Sequence, residues 1–198
     1  STDASGIQSL SLDVTDFTCR DVGTNPVVLT VTDNNNNVST CNATVTVQDN
    51  VDPVAVCQNI TVQLDATGNA TIAEDAVDGG SSDACGGLTF DTDITSFGCA
   101  DVGPNTVTLT VTDANGNTDQ CTATVTVEDN VDPVAVCQNI TVQLDATGNA
   151  TIAEDAVDGG SRDACGGLTF NTDSTSFGCA DVGTNTVTLK ATEGTCKL

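Results

Sequence analysis

Histidine, tryptophan, tyrosine and methionine are absent from this chain of 198 residues, and phenylalanine occurs only five times. Basic side chains are nearly absent too: Arg20, Arg162, Lys190 and Lys197 stand against 28 aspartates and glutamates, giving a formal net charge of -24. Without histidine there is no Ser-His or Cys-His pair to activate a nucleophile, and no ordinary general base near neutral pH. Paired carboxylates can hydrolyse glycosides, but such sites want a cleft with aromatic walls, and here near-identical copies of one segment carry the same acids. The chain is therefore expected not to be an enzyme. A surface this negative repels nucleic acid and anionic membrane. No apolar run reaches the ~18 residues of a membrane-spanning helix, and no signal peptide is present, so export signals and anchors are expected outside this stretch.

Few aromatics and many acids can mean disorder. The valines, isoleucines and leucines argue for folding, because they fall in short alternating runs bounded by Gly, Asn, Asp and Pro, the pattern of half-buried strands. Ten cysteines are present, no two closer than 14 residues. Zinc would require closely spaced Cys or His ligands. A disulfide framework is expected instead, in an oxidising extracellular or cell-surface setting.

Cys57, Cys85 and Cys99 recur as Cys137, Cys165 and Cys179, and Cys19 and Cys41 recur as Cys99 and Cys121, each time 80 positions on. Residues 51–109 and 131–189 differ at only four positions: Ser82/Arg162, Asp91/Asn171, Ile94/Ser174 and Pro104/Thr184. Such self-similarity marks a tandem array. The joint is Val127-Glu128-Asp129-Asn130-Val131-Asp132-Pro133, echoed by Val47 to Pro53. This divides the chain into the back part of one module (1–51), a complete module (52–131) and a following module with a shortened end (132–198).

In the complete module Ile60, Val62 and Leu64 alternate with Thr61 and Gln63, and Val107, Leu109 and Val111 alternate with threonines. A third strand turns Cys121, Ala123, Val125 and Val127 inward, and shorter ones are expected near 70–73 and 88–92. With turns at Thr67-Gly68-Asn69 and Ala114-Asn115-Gly116-Asn117, the expectation is all-β: a tandem, elongated array of immunoglobulin-like Greek-key β-sandwich modules of ~80 residues.

The order of Cys57, an Ile-Thr-Val strand, Val-Thr-Leu-Thr-Val-Thr-Asp-Ala-Asn-Gly-Asn (107–117) and Cys121 resembles the hyalin-repeat (HYR-like) immunoglobulin-type module. Asp83-Ala-Cys85-Gly-Gly87 and Phe97-Gly-Cys99 resemble the variant found in giant surface proteins of gliding Bacteroidetes, including motility adhesins of the SprB type. The resemblance departs from true immunoglobulin domains in lacking the core tryptophan. It implies a structural repeat region of a bacterial adhesin or extracellular filament, with neighbouring modules, surface glycans or other cells as partners. The alternative is a carbohydrate- or ligand-binding accessory module. Four cysteines allow three pairings; an immunoglobulin-type topology favours Cys57 with Cys121, leaving Cys85 with Cys99. By the same logic Cys165 pairs with Cys179 and Cys137 with Cys196. Cys19 and Cys41 pair with each other or stay free, since Ser5 stands where Cys85 would have its counterpart.

Asp113, Asn115, Asn117 and Asp119 place oxygens at every second position around a tight turn, as a hard cation needing six to eight oxygens requires. In this topology the turn lies beside the preceding linker (Asp49, Asn50, Asp52) and the loop carrying Glu74, Asp75, Asp78 and Asp83. The next joint offers Glu128, Asp129, Asn130 and Asp132 against Glu154, Asp155, Asp158 and Asp163. Calcium is the expected ion, stiffening the joints as calcium does in cadherins. Close unneutralised carboxylates would repel by ~1 kcal/mol per pair in water.

Overall fold

The computed structural model describes residues 2–194. Their architecture is all-β. In the first repeat β1 (Ile7–Leu12), β2 (Gly23–Asp33) and β3 (Val38–Val47) form an antiparallel sheet in that order. The second holds β4 (Ile60–Gln63), β5 (Asn69–Thr71), β6 (Thr89–Thr92), β7 (Ser96–Gly98), β8 (Gly103–Thr112) and β9 (Thr118–Glu128). The third holds β10 (Asn149–Thr151), β11 (Leu168–Thr172), β12 (Ser176–Gly178) and β13 (Leu189–Glu193).

The four-stranded sheet of the second repeat runs β4-β9-β8-β6, and β5 and β7 form a separate two-stranded sheet. Period-two alternation explains it. On β8, Val107, Leu109 and Val111 are wholly buried while the threonines between them are partly exposed. On β9, Ala123, Val125 and Val127 are at most 3% exposed. Leu64, Val77 and Phe97 close this core, so aliphatic side chains do most of the filling. Strand β7 was not apparent in the sequence pattern; it pairs with β5 through Ala70 opposite Phe97.

The β8–β9 turn is set by Asp113, whose Oδ1 accepts the backbone N–H groups of Asn115 and Asn117, each at 2.8 Å. Gly116 between them takes φ +92°, a conformation that only glycine adopts freely. Strand β4 adds to β9 in parallel, Ile60 opposite Val125 and Val62 opposite Val127. The identical residues 140–143 of the third repeat form no strand, and Ile140 and Val142 are 41% and 40% exposed.

The chain divides into two compact units that cut across the repeats: residues 1–57, 78–91 and 109–121 form one, and 58–77, 92–108 and 122–198 the other. Each unit therefore contains one inter-repeat linker together with parts of the repeats on both sides of it.

Candidate joint site

Three short 3-10 turns, Cys19–Asp21, Cys99–Asp101 and Cys179–Asp181, present a cysteine at their start. An aspartate two residues after each cysteine fixes the turn: Asp21, Asp101 and Asp181 accept the backbone N–H of Thr18, Gly98 and Gly178 at 2.7 to 2.8 Å. Asn25, Asn105 and Asn185 donate their amides to the carbonyls of those same aspartates. The partner loop is built as simply. Asp83 Oδ2 accepts the N–H of Cys85 at 2.6 Å and of Gly86 at 3.0 Å, and Asp163 Oδ2 accepts that of Cys165 at 2.9 Å.

These two devices meet. Cys19 is bonded to Cys85 and Cys99 to Cys165, each pair 66 residues apart with Cα atoms 5.1 Å apart. Cys57 is bonded to Cys121, the pair that an immunoglobulin-type topology favours. The pairings of Cys85 with Cys99, Cys165 with Cys179 and Cys19 with Cys41 do not form. The path of the chain is the reason: after Cys85 it leaves as the extended strand β6, and Cys85 and Cys99 fall in different compact units. Each thus meets a cysteine of the adjoining repeat. Cys41, Cys137 and Cys179 are exposed free thiols. Cys196, the expected partner of Cys137, lies outside the described residues.

The Thr67-Gly68-Asn69 turn packs against the second of these bonds. A Cβ on Gly68 would stand 2.6 Å from Cys99 Sγ and 3.6 Å from the Ala164 Cβ of the following repeat, and the residue already has φ +77°. Asp65 holds this turn, accepting the Thr67 hydroxyl and backbone N–H at 2.7 and 2.8 Å; those bonds hold its carboxyl below the usual aspartate value.

Beside the Cys99–Cys165 bond, carboxylate oxygens of Asp129, Asp163 and Glu193 lie within 4.8 Å of one another. Asp129 uses Oδ1 to accept the N–H of Val131, and Asp163 uses Oδ2 on Cys165. Their other oxygens, Asp129 Oδ2 and Asp163 Oδ1, are buried without a hydrogen-bond partner. Burial, followed by the charges of Asp129 and Asp163 and a side-chain hydrogen bond to Asp129, pushes the Glu193 carboxyl above its usual value, with Asp132 adding to the effect. Buried acceptors without a donor are costly, and either a proton held by Glu193 or a bound cation would relieve them.

The first joint places Asp49 and Asp83 together with Cys85, again within 4.8 Å. The Cys85 sulfur is committed to its disulfide, which leaves two carboxylates. Asn115 donates to Asp49 Oδ2 at 3.0 Å and Asn117 to the Asp49 carbonyl at 3.3 Å, so the hairpin tip does reach the preceding linker. Asp113, the counterpart of Glu193, is turned away by its own loop. Burial pushes its carboxyl up, but the Asn117 side chain and the N–H groups of Asn117 and Asn115 outweigh this and hold it low.

The remaining acids picked out from sequence stand elsewhere. Asp119 accepts the Ala55 N–H at 2.9 Å, Asp78 that of Ser81 at 2.9 Å, and Asp158 those of Ser161 at 2.9 Å and Gly160 at 3.3 Å. Glu74 and Glu154 hold Thr92 and Thr172. Glu128 accepts from Gln63 at 2.6 Å. Asp52, Asp75, Asp132 and Asp155 are exposed and belong to neither three-residue group. Glu193 was missed, although the 80-residue period that assigns its counterpart Asp113 points straight at it.

No protein-family model matches this chain, and no curated protein matches it. Among solved structures it is similar to protocadherin gamma B7 extracellular cadherin domains 1–4, with TM-score 0.35 and 12% identity over 84% of this chain and 54% of that one. It is similar also to the protocadherin gammaB4 extracellular domain, with TM-score 0.36 and 16% identity over 85% of this chain and 34% of the other. The human desmocollin-1 ectodomain gives TM-score 0.28 and 10% identity, over 85% and 43%. This chain spans little more than half, or less, of each, and the scores fall short of a shared overall fold.

Proposed function

We propose that this chain is a non-catalytic stretch of an extracellular tandem array, a stalk or filament segment of a surface adhesin of the gliding-motility type. Its modules of ~80 residues are β-sandwiches whose joints are stapled covalently and clamped by calcium. The observation that carries this reading is the recurrence of one bond, Cys19–Cys85 and Cys99–Cys165, at the same place in successive repeats. A bond inside a module only stabilises it; a bond between modules limits how far a joint can swing. Mechanical continuity follows, and it is what an extracellular tether needs. Surface glycans or other cells would be met by parts of the array beyond its joints.

Calcium fits the second joint best. Asp129 Oδ2, Asp163 Oδ1 and the Glu193 carboxylate are hard oxygen donors, two of them already stripped of water and of donors. Backbone carbonyls and water would supply the rest of a shell of six to eight. The first joint fits less well: turning the Asn115 amide over would give Asp49 an oxygen beside it in place of a nitrogen, as a third neutral donor. Bound calcium would screen the acids and hold both sides of the linker.

Small-angle scattering of the whole chain in calcium and in chelator tests the reading. A sharply defined maximum dimension with calcium, broadening in chelator, supports it. Identical curves with and without calcium remove the ion from the account, and a broad ensemble that reduction leaves unchanged removes the stapled joint as well.

A further inference from the structure

The three disulfides interlock. The loop closed by Cys57 and Cys121 overlaps the loop from Cys19 to Cys85 on one side and the loop from Cys99 to Cys165 on the other. Every peptide bond between Cys19 and Cys165 therefore lies inside at least one closed loop, and a single cut anywhere there leaves the chain joined. The same connectivity fixes the shortest covalent route through the second repeat. It enters by the bond from Cys19 to Cys85, follows the backbone to Cys99, 14 residues on, and leaves by the bond to Cys165. Each of these two bonds bypasses 66 residues. Strands β4, β5, β8 and β9, with the buried Leu64, Val77, Val107, Leu109 and Val125, all lie off this route.

The route holds only β6 and β7, and both are fastened along their length. At the end of β6 the Thr92 N–H donates to the Glu74 carboxylate at 2.8 Å and the Thr92 hydroxyl to the Glu74 carbonyl at 2.6 Å. Next to it the Asp93 N–H donates to the Thr108 carbonyl at 3.1 Å, and Asp93 Oδ1 accepts the Thr108 N–H at 2.8 Å. The Ile72 N–H donates to the Thr95 carbonyl at 2.9 Å, and Phe97 of β7 is buried. Glu154 with Thr172 and Asp173 with Thr188 repeat the fastening in the third repeat. Strand β6 is the terminal strand of β4-β9-β8-β6, so drawing it away leaves the other three paired.

We propose that tension along this chain runs through residues 85–99 and the disulfides at either end of them, a strap that makes the joined repeats nearly inextensible and keeps the core of the second repeat off the line of force. A polypeptide reaches at most ~3.5 Å per residue, so the strap can lengthen only to about 50 Å, where the 80 residues of one period without bonds would reach about 280 Å. The Glu74–Thr92 and Asp93–Thr108 contacts are the clamps that must part before even that slack is released. The Cys57–Cys121 bond has a different role: it lies off the route and closes a loop that tension does not enter. The inference rests on the tether reading for the source of the tension and does not involve calcium.

The test stretches the whole chain by single-molecule force spectroscopy, from peptide tags added at both ends, first oxidised and then in reductant. At full stretch the oxidised chain should be shorter by the two loops of 66 residues, about 450 Å. Cys57→Ser with Cys121→Ser should leave the oxidised length unchanged. Cys99→Ser with Cys165→Ser should add only about 200 Å, because the taut route then turns back from Cys85 to Cys57, crosses to Cys121 and runs on to Cys165. Thr92→Val with Asp93→Ala should lower the force at which the slack of the strap is released and leave the stretched length as it was. A longer oxidised chain after removal of Cys57 and Cys121 would put the route through that bond and overturn the strap and the stapled joint together. An unchanged release force in the Thr92 and Asp93 variant, with the lengths as expected, would leave the joint standing and overturn the clamped strap alone.

Discussion

Cys99 is bonded to Cys165, 66 residues on and in the next repeat, and the turn at Gly68 lies directly against the bond. The joint between repeats is thus a packed, covalent feature made from three separate loops. A linker carrying only Pro133 and a few acids would be a hinge; the bond changes what the linker can do.

Removing that bond should be costly and local. In the chain-entropy model a closed loop of this length stabilises by about 4 kcal/mol. Cys99→Ser with Cys165→Ser should lower the melting transition of the joint-containing unit by that order in calorimetry, with the Cys57–Cys121 bond still recovered on digestion. A variant as stable as the original would mean that the joint bond does not hold the unit together.

Gly68→Ala tests the packing against the bond. The added methyl would meet Cys99 Sγ at 2.6 Å and force a side chain into φ +77°. The expected cost is on the order of 1–3 kcal/mol, measured by urea unfolding, and Gly80→Ala is the comparison: that site has a positive φ but nothing within 4 Å. Equal losses at both positions would attribute the effect to backbone conformation alone.

The acid cluster predicts a pH dependence whose sign depends on calcium. The Glu193 carboxyl is raised in the folded state, so the folded chain holds this proton more tightly than the unfolded one. Without calcium, stability should therefore fall as pH rises from the ordinary glutamate value through the raised one. Glu193→Gln should remove that fall in chelator and weaken calcium binding in titration calorimetry. An unchanged pH profile would separate Glu193 from Asp129 and Asp163.

The hairpin acids act in the opposite sense. In Asp33 the Asn37 side chain and the backbone N–H groups of its turn outweigh burial and hold the carboxyl low in the folded state. In Asp113 burial is the largest single cause and raises the carboxyl, but the Asn117 side chain and the backbone N–H groups of the turn together outweigh it and hold it low as well. Their stabilisation is present above the ordinary aspartate value of 3.8 and is lost as pH falls through the lowered one. Asp113→Asn should lower urea resistance at pH 7 and make little difference well below pH 3.8.

Much of this was legible from residues alone. The alternation in 107–111 and 123–127 gives β8 and β9 because one face of each is buried and period two records that directly. Asp113 to Asn117 announces its turn through residues that tolerate or cap it. Of the disulfides, Cys57 with Cys121 was expected and forms, but the bonds between repeats were not legible: spacing shows that cysteines repeat, but a period of 80 residues looks the same whether a bond stays in one repeat or crosses to the next. The acids were half legible. Asp49 and Asp129 do meet Asp83 and Asp163, but Asp78, Asp119 and Asp158 spend their oxygens on nearby backbone N–H groups. Composition alone cannot tell a ligand from a cap.

Non-reducing peptide mapping tests the stapled joint most directly. Arg162 distinguishes the Cys165 peptide from that of Cys85, and Pro104 against Thr184 distinguishes Cys99 from Cys179. The account predicts Cys19 linked to Cys85 and Cys99 linked to Cys165, alongside Cys57 linked to Cys121. Recovery of Cys85 linked to Cys99 and Cys165 linked to Cys179 would confine the bonds within repeats and contradict it.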